Sequence, residues 1–186
     1  MLKRFIFSLV FCGLACVQLN VACTVSFAKS EQWTFITEGV GISDILIGKS
    51  TKSDVLARYG DRYKLIKHNK YSVEMEYADL GLSFYYCLKD KEKKIFLVEV
   101  HHGTTSKGIV IGQSTLQDVL DKYGEPESTD CCDAEPFVYE YKGVQFYVKS
   151  ISREGEKKQQ VSPLNMRVVE IDVVPADKSS NFCDGI

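Results

Sequence analysis

A stretch of sixteen residues occurs twice in this chain, and this internal repeat constrains the fold more than any other feature of the sequence. Residues 45–60 read ILIGKSTKSDVLARYG, and residues 109–124 read IVIGQSTLQDVLDKYG. The two stretches share ten identities in sixteen positions at a constant offset of 64, with no gap. Because self-similarity at a fixed period is typical of repeated supersecondary units, we expect two copies of one structural unit.

The first copy contains Gly-Lys-Ser-Thr, which is similar to the end of a phosphate-binding P-loop. A P-loop also requires a glycine five residues before its Gly-Lys pair, and this chain has Ser43 at that position. The second copy has Gln113 where the first has Lys49, so the repeat does not keep the phosphate-binding lysine. The sequence therefore indicates no nucleotide binding, and we predict no cofactor.

Both copies instead keep a Thr-x-x-Asp pattern, formed by Thr51 with Asp54 and by Thr115 with Asp118. A threonine oxygen at the N-cap accepts a hydrogen bond from a backbone N–H of the first turn, and an acid three residues later suits the positive end of the helix dipole. The apolar residues that follow fall on one helical face, and a glycine ends each stretch. Each copy therefore predicts a short capped helix.

Segments that alternate apolar and polar residues follow each predicted helix. Such alternation is typical of antiparallel strands with one face on the core and one face in water. The segments are 71–77, 82–88 and 96–100 in the first copy, and 137–141, 144–148 and 166–174 in the second. We therefore predict an α+β protein of two tandem repeats, each a short helix followed by a three-stranded antiparallel sheet.

The first residues of the chain have the features of a secretory signal peptide. Lys3 and Arg4 precede a long apolar run, and the Ser-Phe-Ala tripeptide at 26–28 provides a small-x-small exit. A short positive segment, an apolar stretch and a small-residue cleavage site define such signals. We therefore predict an exported mature chain that begins at Lys29.

Two alternatives to this cleavage stay open. The apolar run is nearly long enough to remain as a membrane anchor, although Gln18 and Asn20 interrupt it. Lipidation is the second alternative, because Cys16 and Cys23 each follow an alanine. The chain is therefore expected at a membrane only if the signal stays uncleaved or one of these cysteines is lipidated.

The signal and the repeat together divide the chain into five segments. These are 1–28 (signal peptide), 29–44 (N-terminal extension), 45–103 (repeat 1), 104–174 (repeat 2) and 175–186 (tail). The second repeat includes a long polar loop at 149–165. Since the joint between the repeats is too short for a free tether, we expect the two copies to pack together or to share one sheet.

The charge balance of the predicted mature chain excludes one large class of partner. It carries 25 acidic and 21 basic residues, because two of the 23 basic residues lie in the signal, and its net charge is therefore −4. A weakly acidic protein lacks the basic surface that nucleic-acid binding requires. We therefore predict no nucleic-acid partner.

Four cysteines remain after the predicted signal, namely Cys87, Cys131, Cys132 and Cys183. An even number of cysteines in an exported protein favours disulfide bonds. A direct bond between the neighbours Cys131 and Cys132 requires a strained ring. If two bonds form, we expect Cys87 to pair with one of these neighbours and Cys183 with the other. Cys87 as a reduced residue on a strand is the alternative.

The repeated pattern Ile-Gly-x-Ser-Thr-x-x-Asp-Val-Leu-x-x-Tyr-Gly, followed by short strands, resembles the small outer-membrane assembly lipoprotein family SmpA/OmlA, also described as BamE-like. Two such units in tandem resemble the architecture of beta-lactamase inhibitory protein. The resemblance covers most of residues 40–174. It implies a BamE/BLIP-like fold and an exported, non-catalytic module that binds another protein, and it transfers no functional residue to this chain.

The outward faces of the predicted strands carry acids with tyrosines between them, while Phe96, Val98 and Val100 are predicted to face inward. Tyrosine combines a rigid contact area with a polar tip, and acidic neighbours speed encounter with a basic partner. We therefore predict that this face binds another envelope or secreted protein; an ordinary solvated sheet face is the alternative. The candidate binding residues are Glu74, Glu76, Tyr85, Glu99, Glu140, Tyr147, Glu170 and Asp172.

The residues offer little material for catalysis. The chain has no Gly-x-Ser-x-Gly elbow and no Cys-x-x-Cys pair, which hydrolases and thiol oxidoreductases use. His101 and His102 are adjacent on a predicted strand and point to opposite faces, so they do not easily serve one ion. We therefore predict no enzyme activity. The alternative is a metal- or thiol-dependent envelope protein that uses Cys87, Cys131, Cys132 and Cys183 with His101 and His102.

Overall fold

The structure is a computed structural model, and it describes residues 33–68, 70–130, 135–151, 162–177 and Cys183. This part of the chain is α+β and consists mostly of strands, with two α-helices. The helices are α1 (Lys52–Tyr59) and α2 (Leu116–Tyr123). The strands are β1 (Thr34–Thr37), β2 (Gly41–Ile42), β3 (Ile45–Leu46), β4 (Lys64–Lys67), β5 (Ser72–Tyr77), β6 (Leu82–Cys87), β7 (Ile95–Val100), β8 (Gly103–Thr105), β9 (Ser128–Asp130), β10 (Phe137–Tyr141), β11 (Val144–Lys149) and β12 (Arg167–Val173).

Both helices begin at the capping residues that the repeat predicts. Thr51 accepts a hydrogen bond from the backbone N–H of Asp54, and the Asp54 carboxylate accepts one from the backbone N–H of Thr51 at 2.7 Å. Thr115 and Asp118 form the same reciprocal pair, also at 2.7 Å. The hydrogen bond from the threonine backbone is the main cause that lowers the pKa of each aspartate, and the bond from the threonine side chain adds to it. The reciprocal bonds satisfy N–H groups that the first helical turn leaves without an intrahelical partner.

The Gly-x-Ser segment before each cap docks the helix onto the sheet through its backbone. Gly48 donates to the carbonyl of Ile95 at 2.7 Å, and Ile95 donates to the carbonyl of Ser50 at 2.8 Å. Residues 112–114 make the same two bonds with Val168, at 2.8 and 3.0 Å. The glycine of each segment, Gly48 or Gly112, has a positive φ, which glycine adopts without strain. The residues that are similar to a P-loop therefore form a docking turn.

Eight strands form one antiparallel sheet in the order β4-β5-β6-β7-β12-β11-β10-β9. Strands of the two repeats meet at its centre, where β7 pairs with β12. A smaller sheet joins β3, β2, β1 and β8 in that order, and its β1–β8 pair is parallel. The two repeats thus share one continuous sheet, which is one of the two arrangements that their short joint allows.

The two helices cover one face of the eight-stranded sheet, and this inner face carries the core. The ring of Tyr59 on α1 packs against Phe84 with centroids 5.3 Å apart, and the ring of Tyr123 on α2 packs against Phe146 at 5.0 Å. Both phenylalanines are fully buried. Because aromatic rings bury large apolar areas, these contacts fix each helix to its own half of the sheet.

The number of strands differs from the prediction, because four strands of the eight-stranded sheet, rather than three, follow each helix. Strand β8, which also follows α1, belongs to the smaller sheet. The additional strands are β4 and β9, which form the two edges of the eight-stranded sheet. Their side chains are mostly exposed and show no inward alternation, so the hydrophobic pattern contains no signal for them. Backbone pairing with β5 and β10 forms them instead. The described part of the N-terminal extension contributes β1 and β2.

Phe96 lies on the opposite face from the one predicted. The register of β6 and β7 shifts between Tyr85 and Tyr86, so Ile95 is the residue opposite Tyr86 and is fully buried. Phe96 is half-buried on the other face, where its ring lies 6.4 Å from the ring of Tyr85. A β-bulge adds one residue to a strand and thereby reverses the faces beyond it, which simple alternation does not anticipate.

Several predicted features fall outside the described residues. They are the signal peptide 1–28, the lipidation candidates Cys16 and Cys23, the middle of the polar loop at 152–161, and Cys131 and Cys132. The described end of that loop contains a short 3-10 helix at Pro163–Asn165. Within the described ranges, the helices are all too short or too polar to cross a bilayer.

Candidate functional site

The face of the eight-stranded sheet that lies opposite the helices, which we call the outer face, carries all eight candidate binding residues. One polar row crosses it from strand to strand, with each residue directly opposite the next: Glu76, Ser83, Glu99, Asp172, Gln145, Glu140 and Ser128. Glu74 pairs with Tyr85, and Tyr147 pairs with Glu170, beside this row. Since opposed residues of antiparallel strands share a face, both repeats contribute to one surface.

The outer face is more buried than its alternating pattern predicts. We expect outward acids to lie in water, but Glu74 is 6% exposed and Asp172 is 5% exposed. Tyr85 stands opposite Glu74 across the strands, and the ring of His68 lies 5.4 Å from that of Tyr85. Large neighbouring rings therefore enclose acids that a sequence pattern places in solvent.

The buried carboxylate of Glu74 is fully hydrogen-bonded. The Ser83 hydroxyl donates to Glu74 Oε1 at 2.7 Å, and His68 Nε2 lies 2.5 Å from Glu74 Oε2. A buried carboxylate is tolerated only where such partners replace water. Glu74 therefore acts as a structural link between β5, β6 and the end of β4, and it is not available for contact with another protein.

Two tyrosines donate to the two acids at the centre of the outer face. The Tyr85 hydroxyl donates to Glu99 Oε2 at 2.7 Å, and the Tyr147 hydroxyl donates to Asp172 Oδ2 at 2.9 Å. Burial, together with the neighbouring carboxylates, raises the pKa of both tyrosines well above its ordinary value. Each hydroxyl therefore keeps its proton and holds its ring in one orientation.

His101 lies between two acids from different repeats. Its Nε2 atom is 2.8 Å from Glu99 Oε1, and its Nδ1 atom is 3.6 Å from Glu170 Oε2. The hydrogen bond with Glu99 raises the pKa of His101, and the same bond lowers the pKa of Glu99. Burial, followed by the negative charge of Glu99, raises the pKa of Glu170. The centre of the face thus favours a positive charge near its carboxylates.

Asp172 is less well compensated than Glu99, because the Tyr147 hydrogen bond and the charge of His101 offset its burial only in part. Burial raises its pKa well above the ordinary value, and the charges of Glu170 and Glu99 add to this effect. Its Oδ2 atom accepts from Tyr147, but its Oδ1 atom is buried and has no hydrogen-bond partner among the described residues. An unpaired buried acceptor costs free energy on the order of 1–3 kcal/mol, so this oxygen needs a donor that the described residues do not provide.

Three of these side chains can hold a cation together. Glu99, His101 and Glu170 each offer one ligand atom, and the three atoms all lie within 4.8 Å of one another. Each of the three side chains is partly exposed, with 20%, 41% and 23% of its surface open to solvent. A small ion therefore reaches them without any rearrangement of the sheet.

Two of the four candidate cysteines form a disulfide bond, but they are bonded to each other and not in the pairing that we expect if two bonds form. Cys87 at the end of β6 is bonded to Cys183 in the tail, with Cα atoms 5.4 Å apart. Neither residue therefore provides a free thiol, which removes them from the alternative thiol or metal site. Of the other residues of that alternative, His101 belongs to the outer face, His102 is exposed beside it, and Cys131 and Cys132 lie outside the described residues.

Five residues of the outer face were not among the predicted binding residues, namely His68, Ser83, His101, Ser128 and Gln145. Ser83, His101 and Gln145 alternate with inward residues of β6, β7 and β11, so the period-two pattern of those strands identifies them. His68 follows β4, a strand without any alternating signal. Only the pairing of β4 with β5 brings this histidine to Glu74.

Comparisons with known proteins identify no family for this chain. Neither a protein-family model nor a curated protein matches it. Among solved structures, the chain is similar to YjgB, a DUF4309 family protein from Bacillus subtilis subsp. subtilis str. 168, with a TM-score of 0.46 and 13% sequence identity. The match covers 74% of this chain and 88% of that chain. We draw no conclusion about function from a similarity of this size.

Proposed function

We propose that this chain is an exported, non-catalytic protein that binds another envelope or secreted protein through the outer face of its eight-stranded sheet. The observation that carries this proposal is the continuous polar row that crosses the sheet through the strands of both repeats. A surface of this length is assembled only when two repeats share one sheet. The duplication therefore provides a binding surface that a single repeat does not provide.

The chemistry at the centre of the face favours recognition of a protein. Tyr85 and Tyr147 are held by hydrogen bonds to Glu99 and Asp172, so their rings lose little side-chain entropy when a partner binds. Tyrosine is enriched at protein interfaces because it offers a large rigid area and a polar tip. The surrounding carboxylates suit a partner that presents lysine or arginine.

The burial of the face changes which residues we expect to touch the partner. Glu74 and Asp172 are buried and serve as supports for their neighbours. The six remaining candidates are partly exposed and form the proposed contact surface; they are Glu76, Tyr85, Glu99, Glu140, Tyr147 and Glu170. The contact surface therefore consists of two acids near the outer strands and a tyrosine-rich centre.

The finer description of the fold belongs to the same proposal. We interpret the chain as two helix-plus-three-strand units, with β4 and β9 as additions at the sheet edges. The matching caps, docking turns and tyrosine–phenylalanine contacts support this interpretation. The resemblance to the SmpA/OmlA (BamE-like) family and to beta-lactamase inhibitory protein implies such units, and it implies binding rather than catalysis.

Export is supported by the disulfide bond as well as by the predicted signal peptide. Disulfides such as Cys87–Cys183 persist in oxidising compartments and are rare in the cytosol. We therefore propose that the protein acts in the periplasm or outside the cell. Attachment to a membrane is proposed only for a form that is lipidated at Cys16 or Cys23 or that keeps its signal.

A pair of charge reversals tests the proposed surface. Glu76 and Glu140 occupy matched positions on β5 and β10. A photo-cross-linking residue at each of these positions identifies the protein that contacts the outer face in the host cell. Once the partner is identified, Glu76→Lys with Glu140→Lys should lower the association rate constant about 10-fold or more, because it removes acidic steering.

The matched control is Asp61→Lys with Asp121→Lys, which makes the same change of charge at exposed positions that follow or belong to the helices. The control should bind the partner at the unchanged rate. If both double variants lose the same fraction of the association rate, the effect comes from net charge alone and the outer face is not the binding surface.

A further inference from the structure

We propose that Glu99, His101 and Glu170 form a binding site for one divalent transition-metal ion at the centre of the outer face, with Asp172 as a positioning residue behind it. The site joins β7 of the first repeat to β12 of the second. It lies within the proposed protein-binding surface, but the inference does not depend on that function, because metal binding is measured on the protein alone.

The geometry of the three side chains carries the first step. One imidazole nitrogen and two carboxylate oxygens lie within 4.8 Å of one another. A metal ion bound to oxygen and imidazole ligands at about 2.0–2.2 Å holds its ligand atoms at most about 4.4 Å apart, so small side-chain rotations bring these three atoms into range. The pairing of β7 with β12 fixes the two acids relative to each other, so most of the site is formed before an ion arrives.

The buried oxygen of Asp172 is the second and independent observation. Asp172 lies directly opposite Glu99, two residues along β12 from Glu170, and its Oδ1 atom has no hydrogen-bond partner within the described ranges. The protein therefore keeps an unsatisfied acceptor beside three possible ligands. A water molecule bound to the metal ion is the donor that this acceptor lacks, and carboxylates commonly hold such outer positions around metal ions.

The ligand types select among metal ions. Imidazole suits zinc, copper, nickel and iron, whereas magnesium and calcium prefer sites made of oxygen atoms alone. A mixed set of one histidine and two carboxylates therefore favours a divalent transition metal, and we choose zinc as the probe. Three protein ligands leave at least one position open in a four-coordinate zinc site, which water or a group of a partner occupies.

The two repeats differ at this point, which predicts a single ion per chain. Glu99 and Asp172 are equivalent, but the residue two before Glu99 is Leu97, where the second repeat has Glu170. Two residues after Asp172 stands Val174, where the first repeat has His101. Neither repeat therefore contains the whole ligand set on its own, and the site exists only where both repeats contribute residues.

Equilibrium dialysis with zinc tests the site on the purified protein after alkylation of its free thiols, which keeps cysteines from binding the ion. We expect one zinc ion per chain. The weakest metal sites that proteins use have dissociation constants of about 1 mM, so we take this value as the limit. Binding weaker than that value, or two ions of equal affinity per chain, would overturn the proposal.

Two adjacent histidines provide the matched pair of variants. His101→Gln should lower the zinc affinity at least about 10-fold, whereas His102→Gln should leave it unchanged. Equal affinity in the two variants contradicts the assignment. Glu170→Gln provides a second test if His101→Gln does not fold, since it removes a negative charge that lies close to the charge of Glu99. It should weaken zinc binding by a similar factor.

The role of Asp172 is tested separately, because a positioning residue and a ligand give different spectra. Asp172→Asn should lower metal affinity about 10- to 100-fold while the visible absorption spectrum of bound cobalt(II) stays the same. His101→Gln should change that spectrum, because it changes the ligands of the ion. A changed spectrum in Asp172→Asn would show direct binding and overturn the positioning role.

Discussion

The two halves of the eight-stranded sheet are alike on the inner face and different on the outer face. On the inner face, Tyr77 donates to the carbonyl of Gly60 at 2.7 Å, and the equivalent Tyr141 donates to the carbonyl of Gly124 at 3.0 Å. Each of these bonds links the end of a helix to the strand beneath it. The contacts that hold helix to sheet therefore occur twice, almost without change.

On the outer face the same positions carry different chemistry. Glu74 is buried and fully bonded in the first half, and Val138 occupies its place in the second. Glu99 bonds to both a tyrosine and a histidine, whereas Asp172 bonds to a tyrosine alone. The comparison teaches that the contacts for stability are duplicated and that the polar residues have diverged, which is expected if only the outer face carries the function.

The largest expected effect tests the likeness of the inner faces. Phe84→Ala and Phe146→Ala each remove a fully buried ring, and each should lower the free energy of unfolding by about 3–5 kcal/mol. Because the surrounding contacts match, the two losses should agree closely. Urea unfolding followed by circular dichroism measures both, provided that the transitions stay two-state.

Phe96→Ala is the matched control, since it truncates the same side chain where it is only half-buried on the outer face. Its loss should be clearly smaller. A biphasic transition in only one of the two core variants would break the comparison, because it would mean that the halves of the sheet unfold separately.

The second prediction sharpens the difference between the outer faces. In buffer with a chelator, Asp172→Asn should raise the free energy of unfolding by about 1–3 kcal/mol near neutral pH, because it replaces an unpaired buried oxygen with an amide that donates toward the neighbouring acids. Glu99→Gln should instead lower it by about 1 kcal/mol, because it removes the charged partner of His101. Thermal and urea unfolding of the two variants gives both signs.

The pH dependence gives the same test a sharper form. An acid with a raised pKa binds more protons in the folded than in the unfolded state, so its contribution to stability falls as the pH rises from the unfolded pKa of about 4 toward the folded one. The gain from Asp172→Asn should therefore be near zero at about pH 4 and grow with pH. A gain that is constant with pH would exclude the charge of Asp172 as its cause.

The sequence predicts the duplicated part of this molecule better than the diverged part. Capping residues such as Thr51 and Thr115 act within one helical turn, so local chemistry alone determines where the helices begin. The inward residues of β5 follow the period of the strand, and Val73, Met75 and Tyr77 are all buried as the alternation predicts.

The outer face depends on partners that are distant in the sequence. The burial of Glu74 results from rings on other strands, and the reversal of Phe96 results from a bulge that no local residue pattern marks. The bond from Cys87 to Cys183 spans 96 residues, and cysteine counting alone does not select it. A period-two pattern predicts the direction of a side chain, but it does not predict what covers that side chain.

The smallest expected effect tests the likeness of the helix starts. Thr51→Ala and Thr115→Ala each remove a capping oxygen, and each should lower the free energy of unfolding by about 1 kcal/mol. Thr51→Ser and Thr115→Ser keep an oxygen and serve as controls with little loss. The capping threonines also form equivalent bridges to the sheet, at Lys94 and Arg167, so urea unfolding should give equal losses. Unequal losses would show that the likeness of the two halves ends at the backbone and does not extend to the energetics of their caps.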